Sequence, residues 1–145
     1  MTEAEADVAL KDFPSIFSLD GKVIVVTGGT RGLGLHAASG FLQSSAGLVI
    51  ITSRKATACD AAAAALNALP NLGPGARAVA VPADLSTLSG VEALVRETAR
   101  HTDHVDVLMA NAGATWGERF DTHGDDKMAK VLDLNVRAVF NCVRL

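Results

Sequence analysis

Short runs of apolar residues recur along the chain and predict buried strands. Val23–Val26 and Leu48–Thr52 are too short for helices, and neither alternates between apolar and polar positions as a half-exposed strand does. Such runs are typical of a parallel sheet that is covered on both faces. Ala78–Pro82 and Val105–Ala110 predict a third and a fourth strand.

Between the strands, apolar residues recur at helical spacing and predict amphipathic helices. The second helix is predicted over Asp60–Leu69 and ends before Pro70, which cannot continue it. Ser89 and Glu92 have the spacing of a capping box that opens the third helix. The residues predicted to face the core are Leu35, Ala38 and Leu42 in the first helix, Ala58, Ala62, Ala65, Leu66 and Leu69 in the second, and Leu88, Val91, Leu94 and Val95 in the third.

A last helix is predicted from about Asp125 onward, and it is apolar most of the way round. A helix of this kind is expected to be covered on both sides, by another element or by a partner subunit. We therefore expect self-association into a homo-oligomer through it. Its predicted buried stripe holds Met128, Val131, Leu132, Ala138 and Cys142, with Asn135 in the middle, and Val136, Val139, Phe140 and Val143 widen the apolar arc.

The alternation of strands and helices predicts right-handed βαβ units in one parallel sheet. A length of 145 residues corresponds to about one domain. We place this domain over residues 19–145, after an N-terminal extension over residues 1–18. The domain should therefore be an α/β protein with about four strands and flanking helices.

Composition and charge exclude several classes of function. A net charge of −3 is unfavourable for binding nucleic acid or an anionic membrane surface. The apolar runs end well before the ~20 residues that span a bilayer, and the acidic N-terminus is unlike a targeting peptide. We therefore expect a cytoplasmic protein with no membrane partner, and the histidines have no spacing typical of metal ligands.

The first strand is followed by glycines at Gly28, Gly32 and Gly34, and then by a helix. Glycines let the backbone turn tightly and bring its N–H groups close to a phosphate, while the helix offers its positive N-terminal end. This pattern predicts a site for the pyrophosphate of a dinucleotide. The alternative is a glycine-rich turn that only connects a strand to a helix.

Ser53, Arg54 and Lys55 follow the second strand, where a dinucleotide-binding unit selects its cofactor. An acidic residue at this place would bind the ribose hydroxyls of NAD, whereas cations and a hydroxyl suit the 2′-phosphate of NADP. Arg31 in the glycine turn could add a further positive charge. The pattern predicts NADP as the cofactor; the alternative is that these are solvated loop charges.

Two further segments follow predicted strands and leave alternatives open. Asp84 comes after the third strand and could bind an adenine amino group or cap the following turn. Asn111-Ala112-Gly113 follows the fourth strand at the edge where a cofactor would lie, and Gly113 permits close approach. Its alternative is a simple asparagine-containing turn.

These motifs, in this order, resemble the classical short-chain dehydrogenase/reductase family. Thr27-Gly28-x-x-x-Gly32-x-Gly34 matches its cofactor motif, and Asp84 matches its adenine contact. Asn111-Ala112-Gly113 matches its Asn-Asn-Ala-Gly motif with Ala110 in place of the first Asn, and Asn135 matches its helix asparagine. The resemblance covers about Leu19 to Leu145 and looks most like the rhamnolipid-type 3-oxoacyl reductase branch, including fungal relatives.

The resemblance implies a Rossmann-type doubly wound parallel sheet and hydride transfer between NADPH and a small carbonyl or alcohol substrate. Asn135 would be a catalytic-set residue that bends its helix and holds a water in a proton relay to a lysine. The implied cofactor-binding residues are Gly28, Thr30, Arg31, Gly32, Leu33, Gly34, Ser53, Arg54, Asp84, Leu85, Asn111, Ala112 and Gly113.

The family's chemistry also needs a serine and a Tyr-x-x-x-Lys motif, and the chain contains no tyrosine. We therefore expect these residues to be the N-terminal part of an NADP-dependent reductase, truncated before the catalytic segment and inactive alone. The alternative is a non-catalytic protein that binds NADP or pairs with a full-length reductase.

Overall fold

The computed structural model describes residues 16–145, and in this range four parallel strands form one sheet in the order β3-β2-β1-β4. Most of the predicted N-terminal extension lies outside the described residues. The elements are β1 Val23–Thr27, α1 Gly32–Gln43, β2 Leu48–Thr52, α2 Ala56–Asn67, β3 Arg77–Ala80, α3 Leu88–Thr98, β4 Val107–Met109 and a last helix made of α4 Asp125–Leu132, a π-helical turn Asp133–Arg137 and α5 Ala138–Arg144.

The sheet is covered on both faces, as the unbroken apolar strands predict. Ile24 and Val26 of β1 point to the face that carries α1 and α2, where they pack against Leu42 and Leu66. The alternate residues of β1 and β2 point to the opposite face, where they pack with Val91 and Leu94 of α3, and with Ala138 of α5. This two-layered core confirms the predicted doubly wound α/β fold.

An aspartate fixes the register between β1 and β4. The Asp106 carboxylate accepts a hydrogen bond from the Val23 N–H at 2.8 Å, and it also forms a 2.9 Å ion pair with Lys22 Nζ. Both hydrogen bonds lower the pKa of Asp106. The carboxylate therefore accepts the hydrogen bond of the first N–H of β1, that of Val23. The strand pairing begins one residue later, at Ile24 and Val107.

Two predicted strands are longer than the observed ones. The prediction of Ala78–Pro82 is wrong at its end, because the paired strand is Arg77–Ala80, although the Val81 and Ala83 N–H groups still donate to the Ile51 and Ser53 carbonyls at 3.0 Å. The prediction of Val105–Ala110 is also too long, since β4 is limited to Val107–Met109.

The predicted starts of two helices need correction. The capping box at Ser89 is wrong, because Thr87 is the N-cap of α3 and its Oγ1 accepts from the Gly90 N–H at 3.1 Å. Leu88 in the first turn is accordingly 45% exposed. The second helix begins at Ala56, and its buried face contains Cys59, Ala62, Ala63 and Leu66, whereas Ala65 is exposed.

The predicted stripe of the last helix is wrong as far as Asn135, whereas its later members Ala138 and Cys142 pack against the sheet as predicted. Met128 and Leu132 are 48% and 46% exposed, and Asn135 is exposed rather than buried. The cause is the π-helical turn, which holds more residues per turn than an α-helix and rotates the later side chains relative to the earlier ones. Leu134, Ala138 and Cys142 are the residues that pack against the sheet.

Within residues 16–145, no helix has the length and apolar character that crossing a membrane requires.

Replacing the observed cap of α3 should cost more than replacing the predicted one. Thr87→Ala removes the acceptor of the Gly90 N–H, and we expect a loss of about 1 kcal/mol in the free energy of unfolding. Ser89→Ala, its matched control, should stay within about 0.5 kcal/mol of the parent. Urea denaturation measures both, and an equal loss in the two variants would contradict the assignment of Thr87 as the cap.

Candidate functional site

A cleft of about 690 Å³ lies at the carboxyl ends of β1, β2 and β4. This is the edge at which open parallel sheets bind their ligands. Most of the predicted cofactor residues line the cleft, namely Gly28, Thr30, Arg31, Gly32, Ser53, Arg54, Leu85, Asn111, Ala112 and Gly113. Leu33, Gly34, Asp84 and Asn135 are not among the lining residues.

The glycine turn forms one wall of the cleft, and Gly28 and Gly34 show why its shape requires glycine. Gly28 has φ +67°, a left-handed conformation that other residues adopt only with strain. Gly34 is buried, and a Cβ there would collide with the Gly28 carbonyl oxygen and come within 2.6 Å of Asn111 Nδ2. The turn therefore passes close to the end of β4 only because position 34 has no side chain.

Asn111 and Thr27 join the ends of β4 and β1. Asn111 Nδ2 donates to the Thr27 carbonyl at 3.0 Å and to the Gly28 carbonyl at 3.4 Å. Thr27 Oγ1 accepts from the Ala112 N–H at 2.9 Å and donates to the Met109 carbonyl at 3.4 Å. In this structure Asn111 thus holds the glycine turn in place, and Thr27 has an equivalent role.

Three cations surround the opening between the glycine turn and the end of β2. Arg31, Arg54 and Lys55 line the cleft and are exposed. In the described part of the chain, none of them has a carboxylate within ion-pair distance. The cluster is therefore available to bind an anion through charge-assisted hydrogen bonds.

Asp84 adopts the turn role that the sequence left open. Its Oδ1 accepts from Ser86 Oγ at 2.7 Å and from the Ser86 N–H at 3.1 Å. The Ser86 hydroxyl is the main cause of the lowered pKa of Asp84, and the charge of Arg54 also lowers this pKa. The adenine contact stays a prediction, and the neighbouring Leu85 is the residue whose side chain lines the cleft.

Asn135 lies at the centre of the π-helical turn and binds the segment that follows β4. Its Oδ1 accepts from the Ala114 N–H and its Nδ2 donates to the Ala114 carbonyl, both at 2.8 Å. Gly113 is adjacent, since a Cβ there would lie 3.3 Å from Asn135 Oδ1. The amide therefore makes one donor and one acceptor bond to backbone, and its predicted part in catalysis is untested.

Sequence reasoning missed several residues of the cleft. Lys55 lines the cleft although the implied cofactor-binding residues do not include it, and Thr52, Ala58, Ala83 and Leu134 also line the cleft. Thr27 belongs to the matched cofactor motif, and its Oγ1 supports the cleft by joining the ends of β1 and β4. Cys59 contacts Ser53 from the second turn of α2, a pairing that residue spacing alone does not predict.

The arrangement of these groups defines a class of protein. A glycine turn at the start of a helix offers backbone N–H groups, and a cationic group lies beside it at the sheet edge. This is the geometry of a parallel α/β protein that binds a phosphate-bearing dinucleotide.

The chain belongs to the short-chain dehydrogenase family, because the family model described as short chain dehydrogenase matches residues 22–145. A curated relative is the rhamnolipids biosynthesis 3-oxoacyl-[acyl-carrier-protein] reductase of Pseudomonas aeruginosa, which is 37% identical over 128 residues. The match covers 88% of this chain and 47% of the relative. The expected resemblance to the rhamnolipid-type branch is thereby confirmed.

Solved structures support the same family and fold. The Pseudomonas aeruginosa RhlG/NADP active-site complex superposes with a TM-score of 0.80 at 37% identity, over 88% of this chain and 47% of that one. The L-sorbose reductase of Gluconobacter frateurii, complexed with NADPH and L-sorbose, superposes with a TM-score of 0.81 at 30% identity, with the same coverage. The chain thus spans about half the length of these relatives.

A side chain at position 34 should disrupt the cleft, whereas one at position 40 of the same helix should not. Gly34→Ala places a methyl group against both the Gly28 carbonyl and the Asn111 amide. We expect the variant to lose about 1–3 kcal/mol in the free energy of unfolding. Gly40→Ala meets no atom within 4 Å and should stabilise the helix by about 0.5–1 kcal/mol. Urea denaturation of both variants checks this, and a stable Gly34→Ala variant would contradict the described approach.

Proposed function

We propose that this chain binds NADP(H) in the cleft and supplies the cofactor-binding part of a short-chain oxidoreductase. The observation that carries the proposal is the cation group of Arg31, Arg54 and Lys55 beside the glycine turn, which has no ion pair within residues 16–145. Because Ser53, Arg54 and Lys55 directly follow β2 with no carboxylate among them, the ribose 2′ position would meet positive charge instead of a carboxylate acceptor. The cofactors of the RhlG and sorbose reductase complexes support the same choice.

The residues present fit such a cofactor. The absence of a Cβ at Gly34 lets the glycine turn close onto the end of β4, and the N-terminus of α1 opens at the cleft beside Gly32. Its backbone N–H groups would bind the pyrophosphate, while Ser53 and Arg54 would bind the 2′-phosphate. Leu85 and Ala112 would exclude water from the rest of the dinucleotide, since both line the cleft.

NADPH bound here would supply a hydride for a carbonyl substrate, and the reverse reaction would oxidise an alcohol. Asn135 would help to order the proton relay, and its π-helical turn is a feature that is frequent at functional sites. The 145 residues contain no tyrosine, so the proton donor that the family resemblance implies is not among them. We propose that this chain alone binds the cofactor without transferring hydride.

Arg54→Asp tests the cofactor preference. It replaces a cation by a carboxylate that repels the 2′-phosphate, and we expect affinity for NADP⁺ relative to NAD⁺ to fall by about 10- to 100-fold. Arg96→Asp on α3 makes the same change of charge outside the cleft and is the matched control. Isothermal titration calorimetry with both dinucleotides measures the ratio.

Two results would contradict the proposal. One is a parent chain that binds NAD⁺ as tightly as NADP⁺, and the other is an Arg54→Asp variant with an unchanged ratio of affinities. A change of equal size in Arg96→Asp would mean that net charge alone controls binding.

We also propose that the protein is cytoplasmic and self-associates through the last helix. Val136, Phe140 and Val143 recur at helical spacing and are 59%, 64% and 72% exposed. Three large apolar side chains on one stripe are typical of a surface that another subunit covers.

Phe140→Asp should weaken this self-association. Burial of a phenylalanine contributes about 1.5–3 kcal/mol, so we expect the dissociation constant of the oligomer to rise by about tenfold or more. Phe120→Asp is the matched control, because Phe120 is 99% exposed outside the helix. Sedimentation velocity measures both variants, and a monomeric parent or an unaffected Phe140→Asp variant would contradict the interface.

A further inference from the structure

The buried thiol of Cys59 lies directly beneath the hydroxyl of Ser53. Cys59 Sγ is 3.3 Å from Ser53 Oγ and 3.5 Å from the Ser53 carbonyl oxygen. Cys59 is fully buried on α2, whereas Ser53 is partly exposed and lines the cleft. The thiol therefore contacts a residue of the cleft without reaching the cleft itself.

The count of protons in this contact limits what Ser53 can do. A phosphate oxygen accepts hydrogen bonds, so Ser53 must direct its one hydroxyl proton toward the ligand. If that proton instead goes to Cys59 Sγ, the hydroxyl presents lone pairs to the phosphate and repels it. For Ser53 to donate to a phosphate, the Cys59 thiol must therefore be the donor in this contact and direct its proton to Ser53 Oγ.

We propose that Cys59 is a positioning residue for selectivity toward a ribose 2′-phosphate. Its S–H donates to Ser53 Oγ and turns the hydroxyl proton into the cleft, beside Arg54. The second acceptor, the Ser53 carbonyl, keeps the thiol in place when the cleft holds no phosphate. This inference rests on the proposed binding of NADP(H), and it assigns a role to a residue that does not touch the ligand.

The contact explains why a cysteine is suited to this position. Fixed on the second turn of α2, the sulfur lies within reach of both Ser53 oxygens, and the C–S bond is longer than the C–O bond of a serine. An alanine at position 59 would leave Ser53 free to rotate. The hydroxyl would then spend part of its time in rotamers that cannot donate to the phosphate.

A double-mutant cycle on the 145-residue chain tests the proposal, with NADP⁺ and NAD⁺ as ligands in calorimetric titrations. Cys59→Ala should lower the affinity ratio of NADP⁺ to NAD⁺ by about 3- to 10-fold, the range of one hydrogen bond. In the Ser53→Ala background, Cys59→Ala should leave the ratio unchanged, since the thiol then has no hydroxyl to orient. Cys59→Ser keeps a donor and should restore part of the selectivity.

A merely structural role for Cys59 predicts different results. Leu66→Val removes volume from the buried face of the same helix, and it should lower the midpoint of thermal unfolding without changing the affinity ratio. If Cys59→Ala weakens both dinucleotides equally, or has the same effect with and without Ser53, the proposal is wrong. The proposed function is tested separately: if Arg54→Asp changes the ratio and Cys59→Ala does not, only the inference about Cys59 fails.

Discussion

The Gly28 carbonyl lies so close to Gly34 and to the Asn111 amide that no side chain fits at position 34. This approach draws together the end of β1, the first turn of α1 and the end of β4. Hydrogen bonds hold this part of the cleft together. Asn111 donates to the Thr27 and Gly28 carbonyls, and Thr27 Oγ1 accepts a hydrogen bond from the Ala112 N–H. A change at any of these groups alters the place where a dinucleotide would bind.

The sequence predicted the fold well where the constraint is local. The unbroken runs at Val23–Val26 and Leu48–Thr52 predicted a sheet buried on both faces, and its strand order places the cleft at the expected edge. The glycine spacing predicted the turn, because the turn can form only if particular positions have no Cβ. Both signals depend on residues that are close in sequence.

Other features depend on backbone geometry or on contacts between separate elements and could not be predicted from the sequence. The cap of α3 depends on Thr87 and not Ser89, a difference of two residues that backbone geometry decides. The exposure of Asn135 depends on a π-helical turn, which the periodicity of apolar residues in the sequence does not predict. The pairing of Cys59 with Ser53 requires the position of α2 on the sheet, which residue spacing alone does not give.

Two asparagine side chains imitate backbone in this molecule. Asn67 exchanges two hydrogen bonds with the N–H and carbonyl of Ala78 on the edge strand β3, at 2.7 and 2.9 Å, and Asn135 does the same with Ala114. A side-chain amide has one donor group and one acceptor, as a peptide unit has, so it can pair with an unpaired residue. Both therefore satisfy backbone groups that have no neighbouring strand in the described residues.

The π-helical turn also affects how this helix is compared between proteins. A one-residue deletion inside Asp133–Arg137 would restore a regular α-helix and rotate one end against the other by roughly 100°. The helical phase before Asn135 therefore differs from the phase after it, and substitutions on the two sides must be assigned to the inner or outer face separately. An alignment that draws one continuous heptad through the helix would assign its inner and outer positions wrongly on one side.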